Sequence, residues 1–234
     1  ENFGIQEVPH KKYLNDFLTG KYPNSFARGE LYNDDPRLGD ARLCGTTASL
    51  CGIERFGFEG NQEGVDKAVR YDITLHAFML SQSGIPVIYS GDEIGQVNDY
   101  TYKDDPEKAA DSRYLHRGNF DWKLAENRHD PATVQGKLFP ALDKLEHIRT
   151  SHGVFNSNVP FHTIDTWDNS ILAFVRENDE EKFIGIYNFS ENDKVAWINE
   201  EDGMYTDLIS GRELEAKGVQ IPAFGCYWLC RSKK

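Results

Sequence analysis

The sequence predicts an α/β unit followed by a small all-β domain built as an antiparallel β-sandwich. Two patterns carry this. Between residues 64 and 150 an amphipathic helix, a short apolar strand, a long polar loop and a second helix follow one another, the order of a β/α unit of the parallel-sheet type. After residue 153 strand-length apolar runs alternate with Gly, Asn and Asp turns, the spacing of an antiparallel sandwich. With 234 residues, 39% of them hydrophobic and 12% aromatic, the chain is long enough to bury a real core.

Taken in order, residues 1–62 are rich in Gly, Asn, Asp and aromatics, with one helical candidate over 10–18. Val65, Ala68, Val69, Ile73, His76, Ala77 and Leu80 then recur at i, i+3/i+4, which predicts a helix buried along one face. Ser83-Gly84 ends it, and Pro86, Val87, Ile88 and Tyr89 read as a short buried strand. A polar loop runs from 91 to about 131, a length that is usually functional or assembled from small pieces. Leu138, Leu142, Leu145 and Ile148 mark the second helix. Strands are expected over 170–176 and 182–188, separated by the charged turn 177–181, and again over 195–198, 219–221 and 226–229. The resulting division is 1–62, 63–152 and 153–234.

The bulk properties exclude several classes. A net charge of −12 leaves no basic stripe for nucleic acid. No apolar run reaches the length that spans a bilayer, and the first residues lack a basic-then-apolar signal pattern. The chain begins without Met, which reads as a cut or processed start. Its cysteines, Cys44, Cys51, Cys226 and Cys230, form no C-x-x-C pair, so zinc ligation is not expected and buried free thiols are. The setting this implies is reduced and cytoplasmic, with no cofactor and no metal. The acidic runs Asn33-Asp34-Asp35 and Asp104-Asp105 lack the regular ligand spacing of a calcium loop and read as solvated turns.

The segment Gly84-Ile85-Pro86-Val87-Ile88-Tyr89-Ser90-Gly91-Asp92-Glu93 resembles the last barrel strand of the α-amylase superfamily. Four further segments, in order, are similar to the amylosucrases and their sucrose-hydrolysing relatives. They are Asn24-Ser25-Phe26-Ala27-Arg28-Gly29, Gly39-Asp40-Ala41-Arg42-Leu43-Cys44-Gly45-Thr46, Asp111-Ser112-Arg113-Tyr114-Leu115-His116-Arg117 and Asn188-Phe189-Ser190-Glu191. The resemblance covers nearly the whole chain; the strand segment marks the superfamily and the other four the subgroup. It implies the C-terminal part of a TIM (β/α)8 barrel. Residues 1–62 would be a subdomain inserted after strand 7, 63–152 the strand-8 unit with its long loop, and 153–234 the C-terminal β-sandwich domain.

Retaining glycoside chemistry needs a carboxylate nucleophile and a carboxylic acid about 5–5.5 Å apart. The resemblance places those groups, with a third aspartate, before Glu1, so this chain alone is expected to be inactive and to need the N-terminal part of the barrel. Two look-alikes are set aside. Arg70-Tyr71-Asp72 falls mid-helix and reads as a solvated helix pair, and Asn127-Arg128-His129-Asp130-Pro131 reads as a helix N-terminus at Asp130.

What the resemblance leaves in this chain is binding machinery. Arg113 would reach the glucosyl subsite and close it by pairing with an upstream aspartate, and Arg42 would line the leaving-group and acceptor side with Asp40 beside it. Lys11 stands where the subgroup has arginine, which removes the planar fork from a remote acceptor site. Asp92, Glu93 and Asp111 would be supporting carboxylates at the rim, holding arginines and loop backbone. Phe26, Tyr32, Tyr100, Tyr102 and Trp122 are loop aromatics suited to stacking on sugars or to packing. The expected partners are sucrose and an α-glucan or oligosaccharide, with glucosyl passed to glucan or to water. Two alternatives stay open: another α-amylase or α-glucosidase hydrolase, and a stand-alone carbohydrate-binding module built on the sandwich and the loop aromatics.

Overall fold

A computed structural model describes residues 7–35, 37, 40–198 and 202–233; the side chains of residues 7–9 and 40 lie outside the description. The chain forms two compact units, each built of two segments: residues 1–69 with 89–137, and residues 70–88 with 138–234. This differs from the three consecutive segments expected from composition. The later turns of both long helices belong with the β domain, because their leucines enter its core.

The first unit begins with helix α1 (Glu7–Leu18) and a hairpin of β1 (Glu30–Asp35) and β2 (Asp40–Cys44). The hairpin is antiparallel, with Glu30 opposite Cys44 and Tyr32 opposite Arg42, and its register slips between Tyr32 and Asp35. Phe17 on α1 meets Phe26 edge-on at 5.2 Å, and Phe26 meets Phe56 at 6.3 Å, so Phe26 is a packing residue. Helix α2 (Thr47–Cys51) is capped by the Thr46 side chain, which accepts from Ser49 N. Gly52, at φ 100°, ends α2 and starts α3 (Ile53–Phe58); only a residue without Cβ adopts that conformation freely.

The long loop is assembled from short 3-10 turns at Asp92–Ile94, Thr101–Asp104, Ser112–His116 and Glu126–His129, with one helical turn α5 (Trp122–Ala125). It ends at α6 (Val134–Ser151). The capping position is Thr133, three residues later than Asp130. Thr133 Oγ1 accepts from Gly136 N at 3.0 Å and does the capping, while Asp130 Oδ1 braces the preceding turn through Ala132 N. Gly136 rides against that turn: a Cβ there would lie 1.9 Å from the Asp130 carbonyl oxygen. Gly136→Ala should therefore destabilise the protein by about 1–3 kcal/mol in urea unfolding, despite the better helix propensity of alanine. An unchanged midpoint would show that the turn gives way freely.

Residues 85–89 correct the strand expectation. They form no strand, and among the described residues none pairs with them; Ile85 is 93% and Val87 73% exposed. The reason is physical. A strand is a paired object, and its apolar sequence cannot create the backbone partners it needs.

The second unit is a six-stranded antiparallel sheet in the order β3 (Phe161–Ile164), β4 (Ile171–Glu177), β5 (Glu181–Asn188), β10 (Cys226–Ser232), β7 (Met204–Asp207), β8 (Glu213–Glu215). A separate two-stranded antiparallel sheet pairs β6 (Lys194–Ala196) with β9 (Val219–Ile221). Both faces of the central strands are apolar, so β5 reads as an unbroken buried run, not an alternating one. Ile184, Ile186 and Leu229 share a core cluster with Ala196, Val219 and Ile221 of the two-stranded sheet. Phe183, Tyr187 and Trp228 face Ala77 and Leu80 of α4 (Gln62–Ser81) and Leu138, Leu142 and Leu145 of α6. The expected sandwich is thus a large sheet covered by a two-stranded sheet on one side and by helices on the other.

Several polar groups are buried with partners. Tyr187 Oη, in the helix-side core, receives Trp228 Nε1 at 3.0 Å and lies 2.6 Å from Ser81 Oγ. Two arginines satisfy the end of α4. Arg176 donates to Ser81 O at 2.9 Å, and Arg149 donates to the carbonyls of Leu80, Gln82 and Gly84. The Arg70-Tyr71-Asp72 segment also departs from expectation. Asp72 is fully buried, with His76 Nδ1 2.8 Å from its carboxylate, and Arg70 donates to Ala223 O at 3.2 Å. A histidine one helical turn on makes that burial tolerable. Among the described residues no helix is long and apolar enough to cross a membrane.

Candidate functional site

The 3-10 turn Ser112–His116 is held against β1 by Ser112 Oγ, which donates to Leu31 O at 2.9 Å. Asp111 caps the turn through Oδ1, which accepts from Arg113 N at 3.0 Å. The same carboxylate takes one edge of the Arg113 guanidinium, Nε to Oδ1 at 2.9 Å and Nη2 to Oδ2 at 2.6 Å. This two-pronged contact fixes the plane of the guanidinium and leaves its Nη1 edge outside the pair. The guanidinium carbon lies 4.6 Å from the centre of the Tyr32 ring. Tyr32 is in turn the cross-strand neighbour of the exposed Arg42. Asp111, Arg113, Tyr32 and Arg42 are therefore gathered at one hairpin.

Arg113 holds the Asp111 carboxyl at about 2, chiefly through the side-chain hydrogen bond, and Asp111 raises the guanidinium in return. The sign of the pH effect follows. A carboxylate whose folded pKa lies below its unfolded value of about 3.9 contributes stability above that value. That contribution disappears as pH falls from about 4 through about 2. Asp111→Asn should flatten this acid limb of the stability curve without changing stability's slope near pH 7; an unchanged limb would mean the pair is not formed in solution.

A second network lies beside the hairpin. Glu30 on β1 accepts from Tyr102 Oη and Lys103 Nζ, and Tyr100 Oη donates to Glu54 at 2.7 Å. Asn98 ties the layer together: its N–H goes to Ser49 Oγ, its Oδ1 accepts from Thr46 N, and its Nδ2 reaches Arg28 O. Burial pushes the Tyr100 hydroxyl up to about 12, and burial with Glu30 raises Tyr102 as well, so both remain neutral donors. Tyr102 is buried and structural, while Tyr100 is partly exposed.

The other expected residues are placed as follows. Glu93 braces its own turn, accepting from Gly91 N at 2.8 Å, and Asp111 makes the fork to Arg113. Asp92 is buried, and its charge acts on His116, whose ring meets Tyr89 edge-on at 5.6 Å. Burial, with Arg117, nevertheless lowers the His116 pKa. Lys11 is half-buried on α1, which lies alongside β2. The Asp40 side chain is among those outside the description. Trp122 is 78% exposed and meets Phe120 edge-on at 4.7 Å. In the acidic runs Asp35 pairs with Arg37 at 2.9 Å and Asp105 with Lys108 at 2.8 Å. Sequence reading missed Glu30, Glu54, Asn98 and Lys103. Glu30 and Lys103 are 73 positions apart, a separation that leaves no local signal.

The chain matches no family model. It is 30% identical over 159 residues to the glucosylglycerate phosphorylase of Escherichia coli (strain K12), a match covering 67% of this chain and 27% of that protein. Among solved structures it shares its fold with the trehalulose synthase MutB of Pseudomonas mesoacidophila MX-45. The TM-score is 0.51 at 20% identity, over 68% of this chain and 38% of that one. AmyP in complex with maltose gives 0.55 at 19% identity, over 70% and 35%. The chain spans about a quarter of the curated relative and little more than a third of the solved ones. The sequence likeness is thus to part of a glucosylglycerate phosphorylase, and the fold is one shared with parts of a trehalulose synthase and of AmyP.

Proposed function

We propose that this chain is the C-terminal, substrate-lining portion of a retaining α-glucoside-active enzyme that cleaves sucrose or a related glucoside. The observation that carries the reading is the Asp111–Arg113 fork set over Tyr32 with Arg42 across the strand. Such a fork is a rigid donor. Its Nη1 edge would bond a glucosyl hydroxyl, and Arg42 would face the leaving group or acceptor. A carboxylate from the preceding part of the protein would bond the anomeric carbon while an acid protonates the departing oxygen. In the second step the acceptor oxygen replaces the carboxylate and its proton returns to the base. The exposed apolar segment 85–89 would be covered by the neighbouring barrel strands that supply those carboxylates, with Asp92 and Glu93 supporting the rim.

The acceptor has a second reading. Amylosucrase-like transfer to glucan or to water follows from the motif resemblance, whereas the name of the curated relative, a phosphorylase, favours phosphate. The test is the complete protein with sucrose and with glucosylglycerate, each alone, with glucan and with phosphate. Phosphate-dependent glucose 1-phosphate, glucan growth or free glucose distinguishes the three acceptors. Cleavage of neither glucoside under any condition contradicts the proposal.

A further inference from the structure

The second unit holds three ligand-type side chains that the sugar-site reading does not use. His152 follows the last residue of α6, Glu181 opens β5 and Cys230 lies in β10, and one donor atom from each falls within 4.8 Å of the other two. The sheet register explains the meeting. Cys230 is opposite Phe183, and Glu181, two residues before Phe183, points to the same face. His152 reaches that face because Phe155, in the turn that follows it, inserts beside Phe183 at 4.8 Å and Trp228 at 5.0 Å. His152 Nδ1 lies 2.6 Å from Glu181 Oε1, and Glu181 Oε2 accepts from Val154 N at 3.4 Å. The carboxylate is therefore held from two sides. Cys230 is 5% exposed, while the His152 and Glu181 side chains are 27% and 21% exposed, which leaves an approach from solvent.

We propose that His152, Glu181 and Cys230 form a binding site for a zinc-type divalent ion. One imidazole nitrogen, one carboxylate oxygen and one sulfur make the donor set that zinc accepts and that calcium or magnesium does not. Zinc bonds of about 2.0–2.3 Å place tetrahedral donors about 3.4 Å apart. Rotation of His152 and Glu181 about their side-chain bonds closes the present spacing onto an ion. The ion replaces the His152–Glu181 hydrogen bond, the thiol proton leaves to solvent, and water takes the fourth position on the exposed side. Bound there, the ion ties the end of α6 to two central strands of the sheet.

The test uses the full protein, stripped with a chelator and titrated with Co²⁺ as a spectroscopic probe. One equivalent should produce a thiolate-to-cobalt charge-transfer band and the intense visible bands of a tetrahedral ion. Cys230→Ser should abolish the charge-transfer band, Cys226→Ser should keep it, and Glu181→Gln should weaken cobalt binding at least 10-fold. His152→Ala, at the partly exposed position, tests the site without opening the core and should also weaken binding at least 10-fold. No charge-transfer band in folded wild-type protein overturns the proposal. So does wild-type cobalt affinity in His152→Ala.

Discussion

Arg113→Ala in the complete enzyme is expected to lower kcat/KM for the glucoside by about 10- to 100-fold, the loss of a charge-assisted hydrogen bond worth about 1.5–3 kcal/mol. The expectation rests on preorganisation. Asp111 grips Nε and Nη2, and the Tyr32 ring supports the guanidinium plane, so the donor edge is fixed before any sugar arrives. Arg113→Lys keeps the charge and loses the fork, and should recover only a small part of the activity. Asp111→Asn leaves the arginine present but loosely aimed, with a smaller fall in the same direction. Steady-state kinetics on the three variants check this. An Arg113→Lys variant equal to wild type would show that a positive charge alone suffices and that the fork does not aim the donor.

Arg176→Ala should destabilise the protein by about 3 kcal/mol or more. Arg176 is 0% exposed, and its guanidinium donates to Ser81 O at the end of α4 and to the carbonyls of Asn156 and Val159. Burial, together with the neighbouring charge of Arg149, lowers its pKa. Truncation takes the guanidinium away from Ser81 O, leaves Asn156 O and Val159 O with only Val159 N and Ser83 Oγ as donors, and opens a cavity between sheet and helix. Arg176→Met restores volume but not the donors, so it should recover only the packing share. Urea unfolding of the full protein measures both. A loss below about 1 kcal/mol for alanine would mean that water replaces the guanidinium without penalty.

The legible parts of the fold were those with a period. The residues at i, i+3/i+4 from Val65 to Leu80 lie within α4, and the leucines from 138 to 145 lie within α6. The long apolar runs became β4 and β5, because a strand buried on both faces is apolar throughout. Short polar strands were not legible: β3, β7 and β8 sit toward the edges of the sheet and carry little apolar signal. Neither was the β1–β2 hairpin, hidden in a stretch rich in Asn and Asp. Residues 85–89 show the opposite error, an apolar run without a strand partner among the described residues.

The site divides in the same way. Asp111 and Arg113 are two residues apart, so one short motif contains both ends of the fork. Tyr32 beneath it lies 81 positions earlier and was only one of several loop aromatics. Glu30 with Tyr102 and Lys103, and Ser49 with Asn98, are cross-chain contacts that only the folded loop creates. Arg176 reads as an ordinary strand cation; its burial follows from the carbonyls at the end of α4 and in the turn before β3 that accept from its guanidinium.

The most direct measurement is a crystal structure of the complete protein with the glucosyl-enzyme intermediate trapped by a slow substrate analogue. The account predicts Arg113 Nη1 within hydrogen-bond distance of a glucosyl hydroxyl, the Asp111 fork retained, and Arg42 facing the vacated leaving-group side. A bound sugar with Arg113 turned to solvent, and with Asp111 released from it, would contradict the account.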